Sequence, residues 1–379
     1  MKTVALLLDS DISRSLRILA GVQEVLSAIP ETRLAPLHHN QTETLLHLLA
    51  SGAVDGVIGA FLGDRWLEDL KPFGVPLVNI GTVSAITSVP SVLPDFAAAG
   101  RLAADAFARN GWRRSAIVYE RAGHASRLMH EGFVRRAAEL GLALAVVPAD
   151  VVCSDAAQLG RWLATLPEGT GCFCASDFLA RQAVQALIAR GRAVPASVAV
   201  VGVGDSPLDS VLAAKPLSSI VLPDLQIGRV AAAKMAAMLD GGALRTASET
   251  LPPVRLVVRE SSALFLCPDP LVARAVGHIE ANLFRPCGTD ALARRLGASK
   301  RSLELRFKVA LGRPPAAEWR RRRHREICRL LADTAIPLAE IAALAGEGEP
   351  SYFWNAFRKA EGVTPARYRA NHRRIGQEP

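Results

Sequence analysis

Two stretches near the C-terminus repeat one pattern, and that repetition restricts the fold more than any other feature of the chain. Residues 289–310 (TDALARRLGASKRSLELRFKVA) and 338–369 (LAEIAALAGEGEPSYFWNAFRKAEGVTPARYR) each open with a short apolar helix. Leu292, Ala293 and Leu296 carry it in the first, Leu338, Ile341 and Ala342 in the second. A turn containing Gly297 or Gly346 follows. Helical spacing then resumes: Leu303 and Phe307, and likewise Phe353 and Phe357, lie four positions apart and share a face. That packing turns Lys300, Arg301, Glu304, Ser351, Asn355 and Arg358 elsewhere. Two helix-turn-helix units with basic outer faces suit two successive major grooves, so double-stranded DNA is the expected partner.

The charge distribution agrees. The formal net charge is +9, and all of it lies beyond residue 267: 21 Lys and Arg stand against 12 Asp and Glu from Pro268 onward, but 24 against 24 in residues 1–267. A cationic segment suits a polyanion, and the neutral remainder a small uncharged ligand. At 379 residues the chain holds enough material for two or three cores. The apolar run before Asp9 spans only about six residues, too few for an export signal or a membrane span, and no run of spanning length occurs elsewhere. A cytoplasmic protein without membrane contact is expected. Of six cysteines only Cys172 and Cys174 are close. A lone Cys-x-Cys without a histidine pair makes a poor metal site, and the apolar GCFCASD run reads as strand core.

Residues 1–265 show a different rhythm. Apolar runs at 2–8, 33–37, 56–61 and 75–80 alternate with helical patterns at 13–28 and 42–50. The rhythm restarts near Asp95, with helices at 96–110, 126–140, 156–166 and 179–190 and strands at 115–119, 142–147, 171–175 and 198–203. Short apolar runs between longer helices imply parallel sheets covered on both faces, here an α/β domain of two lobes with a cleft between them. The segments SSIVLPD, IGRVAAAKMAAMLDGG and PPVRLVVRES read as strand, helix and strand that either complete the second lobe or cross back to the first. The boundary falls in SSALFLCPDP at 261–270, where Pro270 suits the first turn of a helix, and residues 266–379 form the all-α domain.

Parallel sheets place ligands at the C-terminal ends of their strands. Asp9 and Asp11 end the first strand with Arg14 close behind, Asp177 follows GCFCAS, and Asp205 ends VAVVGVGD beside Gly202 and Gly204. Carboxylates that accept paired hydrogen bonds match the hydroxyls of a sugar; the alternative is that they cap the helices that follow. GVGD lacks the third glycine of a dinucleotide loop, and GxSxG, HExxH and P-loop patterns are absent, so neither catalysis nor a cofactor is expected. On the DNA side, Ser299, Lys300, Arg301 and Glu304, with Ser351, Trp354, Asn355 and Arg358, begin the second helices and are the base-reading candidates. The run Arg320 to Arg323 with Arg325 reads as a connecting helix with one exposed face.

The run IxxLLADTxxPLxEIAxLxG followed by SYFWNAFRKAEGVTPARYR resembles the signature of the AraC/XylS transcription regulators, although Glu347 stands where that family carries an aromatic residue. LPD at 93–95, GxxRRSAIVYE at 111–120, EGF at 131–133, CASD at 174–177, GRAVPASVAVVGVGDS at 191–206 and LSSIVLPDLQIGRVAAAKM at 217–235 resemble LacI-type, periplasmic-binding-protein-like sensors. Met129 stands where many such sensors carry arginine. The resemblance implies ligand contacts at Asp177 and Asp205 and a regulator answering to a small carbohydrate, a pentose such as xylose. Operator DNA, the sugar, RNA polymerase and a second copy of the chain are the partners it implies. A sensor that is a relic or a docking surface for another protein, and a solute-binding protein serving transport, are the rival readings.

Overall fold

Leucine- and valine-rich runs flanked by longer amphipathic segments bury themselves as parallel strands between helices. The computed structural model describes residues 2–8, 12–38, 40–153, 155–241, 248–263, 267, 269–285, 287–334, 336–345 and 350–372. The chain forms two compact units, one made of Met1–Phe96, Glu120–Leu128 and Leu222–Pro253, the other of Ala97–Tyr119, Met129–Val221 and Val254–Pro379.

The first unit opens with β1 (Lys2–Leu8), α1 (Ile12–Leu26), β2 (Thr32–His38), α2 (Thr42–Ala50), β3 (Gly56–Gly59), a single turn α3 (Asp64–Leu67), β4 (Leu77–Asn79) and β5 (Val92–Pro94). Its sheet runs β2-β1-β3-β4, all parallel. Helix α4 (Phe96–Arg109) leads into the second unit. There follow β6 (Arg114–Val118), α5 (His124–Glu139), β7 (Ala143–Val146), α6 (Ala156–Ala164), β8 (Thr170–Cys174), α7 (Asp177–Ala189), β9 (Val198–Val203), α8 (Pro207–Leu212) and β10 (Ser218–Val221). The chain then returns to the first unit as α9 (Asp224–Leu239) and β11 (Glu249–Leu251), which lies parallel to β5. Strand β12 (Arg255–Val257) closes the second sheet antiparallel to β10, giving the order β12-β10-β9-β8-β6-β7. The segment at 217–260 therefore does both of the things its pattern allowed. In each sheet the strand that comes first in the chain lies between the second and third, the doubly wound arrangement that opens a ligand crevice where the winding reverses.

Paired glycines let the covering helices approach closely. In the first unit a Cβ on Gly21 of α1 would lie 2.0 Å from the Leu225 carbonyl oxygen, and one on Gly228 of α9 would lie 2.1 Å from that of Ile18. The second unit repeats the device: Gly100 of α4 faces the Met129 carbonyl oxygen at 2.2 Å, and Gly132 of α5 faces that of Ala97 at 2.1 Å. Met129, in the position of the family arginine, is buried in that contact. Cys172 and Cys174 are buried in β8 as core residues.

The all-α part comprises α10 (Pro270–Ala281), α11 (Thr289–Arg295), α12 (Lys300–Leu311), α13 (Pro315–Asp333), α14 (Leu338–Leu344), α15 (Pro350–Glu361) and α16 (Pro365–His372). Asp269 caps α10 by accepting from the Leu271 and Val272 amides, and Pro270 occupies its first turn. One core gathers Val272, Val276, Leu292, Leu303 and Phe307; a second gathers Ile327, Leu330, Leu331, Ile341, Phe353 and Phe357. Helix α13 serves both, lending Trp319 to the first and its C-terminal half to the second. Gly346 and Glu347 lie outside the described residues.

Candidate functional site

Strands β8 and β9 pair in parallel, so the residues that follow them emerge side by side. Asp177 opens α7, but the capping role that could have explained it belongs to Ser176, whose Oγ accepts from the Leu179 amide at 3.2 Å. Likewise Ser206, not Asp205, caps α8 by accepting from the Asp209 amide. Both aspartates are thereby left for other work. Asp177 is 3% exposed; its Oδ2 accepts from the Ser206 amide at 2.7 Å, while its Oδ1 accepts no hydrogen bond among the described residues. Burial lifts its pKa to about 6, a rise only partly offset by hydrogen bonding to Ser206 and Ser219. A Cβ at Gly202 would lie 2.2 Å from that Oδ1, so a larger residue there would displace this carboxylate from its present position.

Asp205 adopts a left-handed backbone with φ 50°, uncommon for a residue with a side chain and frequent at functional sites. Its amide donates to Ser219 Oγ at 2.9 Å, and its Oδ1 accepts from Arg259 Nη2 at 2.7 Å. Arg259 was not foreseen from the sequence, because nothing local distinguishes it within PPVRLVVRES. Two carboxylates thus stand together at the strand ends, one desolvated and under-coordinated, the other held by a guanidinium.

The remaining candidates of this class belong to the first unit. Asp9 and Asp11 lie outside the described residues. Arg14 is buried: Nη2 donates to the Ile80 carbonyl at 2.9 Å and Nε lies 3.5 Å from Asp224 Oδ1, while Arg17 grips Asp224 Oδ2 at 3.0 Å. These pairs hold α1 on α9, a structural task for Arg14.

On α12, Ser299 is the N-cap, its Oγ accepting from the Ser302 amide at 3.2 Å. Lys300 pairs with Asp290 at 3.0 Å at the surface, Glu304 is half-buried, and Arg301 is exposed without an ion pair to any described residue. On α15, Asn355 and Arg358 are exposed, whereas Trp354 is half-buried with its ring 5.3 Å from that of Phe353. The Ser351 side chain lies outside what is described.

The arginine run on α13 is less exposed than a connecting helix suggested. Arg320 and Arg325 remain exposed, but Arg322 is buried, donating to Glu318 at 2.6 Å, to Asn110 at 3.1 Å and to Glu280. Arg321 forks onto Glu318, and Arg323 donates to the Ala345 carbonyl and lies over Trp319. Burial pushes Glu318 upward, but the hydrogen bonds from Arg321 and Arg322 outweigh it and hold the carboxyl below its usual range. Glu318, three and four positions before these arginines, was the available signal. Among the described residues one group unites three metal-ligand types, His324, Cys328 and Glu361, with ligand atoms within 4.8 Å of one another. His324 Nε2 and Glu361 Oε1 already satisfy each other at 2.6 Å, and burial pushes the Cys328 thiol up to about 11. No helix among the described residues is long and apolar enough to cross a membrane.

Residues 104–262 match the family of periplasmic binding protein-like domains, and residues 292–371 match that of helix-turn-helix domains. Over 212 residues the chain is 30% identical to the xylose operon regulatory protein of Escherichia coli (strain K12), covering 56% of this chain and 54% of that protein. The match thus spans about half the length of that curated relative. Among solved structures, that of the xylose-binding transcription activator xylR superposes with a TM-score of 0.61 at 24% identity, covering 98% of both chains. The complex of the transcriptional regulator CelR with cellobiose covers 69% of this chain and 85% of its own, with a TM-score of 0.57 at 26% identity. The chain thus joins a periplasmic binding protein-like sensor domain to an AraC-type helix-turn-helix domain.

Proposed function

We propose that the chain is a transcription regulator whose affinity for operator DNA is set by a small carbohydrate, with the pentose xylose as first candidate. The observation that carries this reading is the pairing, in one chain, of two uncapped aspartates at the ends of β8 and β9 with a tandem helix-turn-helix domain. Asp177 and Asp205 offer acceptors for sugar hydroxyls, and an uncharged ligand adds no second negative charge beside the buried Asp177. Arg301, Asn355 and Arg358 are exposed and would be available to read base edges, and Lys300 and Arg320 would supply charge for phosphate. The names of the similar proteins support both the sugar and the regulatory role. A second copy of the chain and RNA polymerase are proposed as further partners.

The mechanism is a shift of population: the sugar binds one arrangement of the sensor better than another, and DNA affinity changes by about 1 to 3 kcal/mol. Calorimetry with D-xylose, D-ribose, L-arabinose and D-glucose tests it. Saturable heat with a pentose, lost in Asp205→Ala while salt-sensitive DNA binding persists, is the expected result. No heat with any of the four, beside intact DNA binding, would favour a relic or protein-docking sensor.

A further inference from the structure

The second unit contains both Asp205 and the helices that would bind DNA, and a single short segment touches each of them. Residues 254–259 run from α13 of the helix-turn-helix part at one end to Asp205 at the other. At the near end, Arg329 Nη2 of α13 donates to the Val254 carbonyl. The same guanidinium holds Glu326 at 2.8 and 3.0 Å, and both side chains are largely buried at 12% and 13% exposure. At the far end, Arg259 Nη2 donates to Asp205 Oδ1 at 2.7 Å while its Nη1 donates to the Leu217 carbonyl at 2.8 Å. Reciprocal bonds between Arg259 and Ser218 lock this end to β10: the Arg259 amide donates to Ser218 Oγ at 2.8 Å, and Ser218 Oγ–H donates to the Arg259 carbonyl at 2.9 Å.

Between the two ends lies Arg255 of β12. Its attractive neighbours are Asp205 and Glu326, its repulsive ones Arg259 and Arg329. Two ion pairs, Arg259–Asp205 and Arg329–Glu326, thus flank the Arg255 charge, and one of their carboxylates, Asp205, is also the proposed sugar ligand. A carboxylate drawn into hydrogen bonds with sugar hydroxyls is a weaker acceptor for Arg259 and Arg255. Arg255 would then lean on Glu326, in competition with Arg329, and the hold of α13 on Val254 would slacken.

We propose that Arg255 and Glu326 are coupling residues: they carry the occupancy of Asp205 through the 254–259 segment to α13, and so to both helix-turn-helix cores. This rests on the sugar-responsive reading given above and names the route by which that response travels.

The test uses the full chain and a duplex enriched on it from a random library. DNA affinity is measured by fluorescence anisotropy with and without saturating D-xylose, and D-xylose affinity by calorimetry, for the parent, Arg255→Met, Glu326→Gln and the double variant. The parent is expected to change DNA affinity about tenfold with sugar, and each single variant less than about twofold; sugar still binds saturably in all of them, somewhat more tightly in Arg255→Met, where a competitor for Asp205 is gone. The double variant should lose no more than either single one, as members of one pathway do. Arg255→Lys, keeping the charge, should recover much of the response. Glu326→Gln is nearly isosteric and carries the comparison should Arg255→Met fail to fold. If the parent responds to D-xylose and the folded variants respond equally, the coupling role is wrong and the sugar reading stands. A parent that binds D-ribose or L-arabinose instead is assayed with that pentose; one that binds no sugar removes both.

Discussion

A carboxylate buried beside a glycine, with one oxygen unprovided for, is costly wherever it is ionised. Asp177 has an ordinary pKa of 3.8 and a folded value of about 6, raised by burial. A raised folded value means that the fold is most favoured, as far as this group goes, below pH 3.8 and loses that advantage as pH rises through 6. The loss is on the order of 3 kcal/mol above that window. Asp177→Asn should therefore gain stability over the parent at pH 7.5 and none at pH 4, as urea unfolding midpoints at the two values will report; an equal difference at both would remove the ionisation account. If Arg301 reads a base as proposed, Arg301→Ala should cost about 1 to 3 kcal/mol on the selected duplex and far less on random sequence. Equal losses in an anisotropy assay would make it a phosphate contact. Position at the ends of apolar runs, together with the family resemblance, singled out Asp177 and Asp205 as ligand candidates. Such signals did not separate Ser299 or Trp354 from true surface candidates, because a cap and an edge-packed ring depend on where the helix begins and what lies under it.

Among elements, the reciprocal glycines explain why α1 and α9 can sit backbone to backbone although more than two hundred positions separate Gly21 from Gly228. Gly228→Ala places a methyl group against the Ile18 carbonyl, which has no rotamer by which to yield. It should cost about 1 to 3 kcal/mol, read as a lowered melting temperature with unaltered secondary structure. A melting temperature equal to the parent's would mean that the helices part without penalty. Alternating βα rhythm was legible because buried parallel strands are apolar on both faces, and the helix-turn-helix pairs because Leu303/Phe307 and Phe353/Phe357 repeat at helical spacing. Strands β5 and β11 were not: each has three residues, and β5 finds its partner in β11, more than 150 positions away. The arginine run on α13 misled for the opposite reason. Charge reads as solvent until its acceptors are located: Glu318 was close enough in sequence to be seen, but the Glu280 carboxylate and the Asn110 amide oxygen come from distant segments.

Taken whole, the chain crosses between the two units five times, the last at Pro253–Val254, and β12 and the helical domain both follow that crossing in the same unit. Within it the 19 residues of α13 are shared by two hydrophobic cores. A continuous helix of that length is about 28 Å long, and its ends are fastened to different cores. It is a ruler as well as a strut. If the chain binds duplex DNA as proposed, its recognition sequence is expected to present two half-boxes at a fixed phase, close to one helical repeat of the duplex. Inserting about five base pairs between them turns one box to the far side of the duplex. Footprinting should then show protection of a single box, and about ten inserted pairs should restore the phase without restoring the reach.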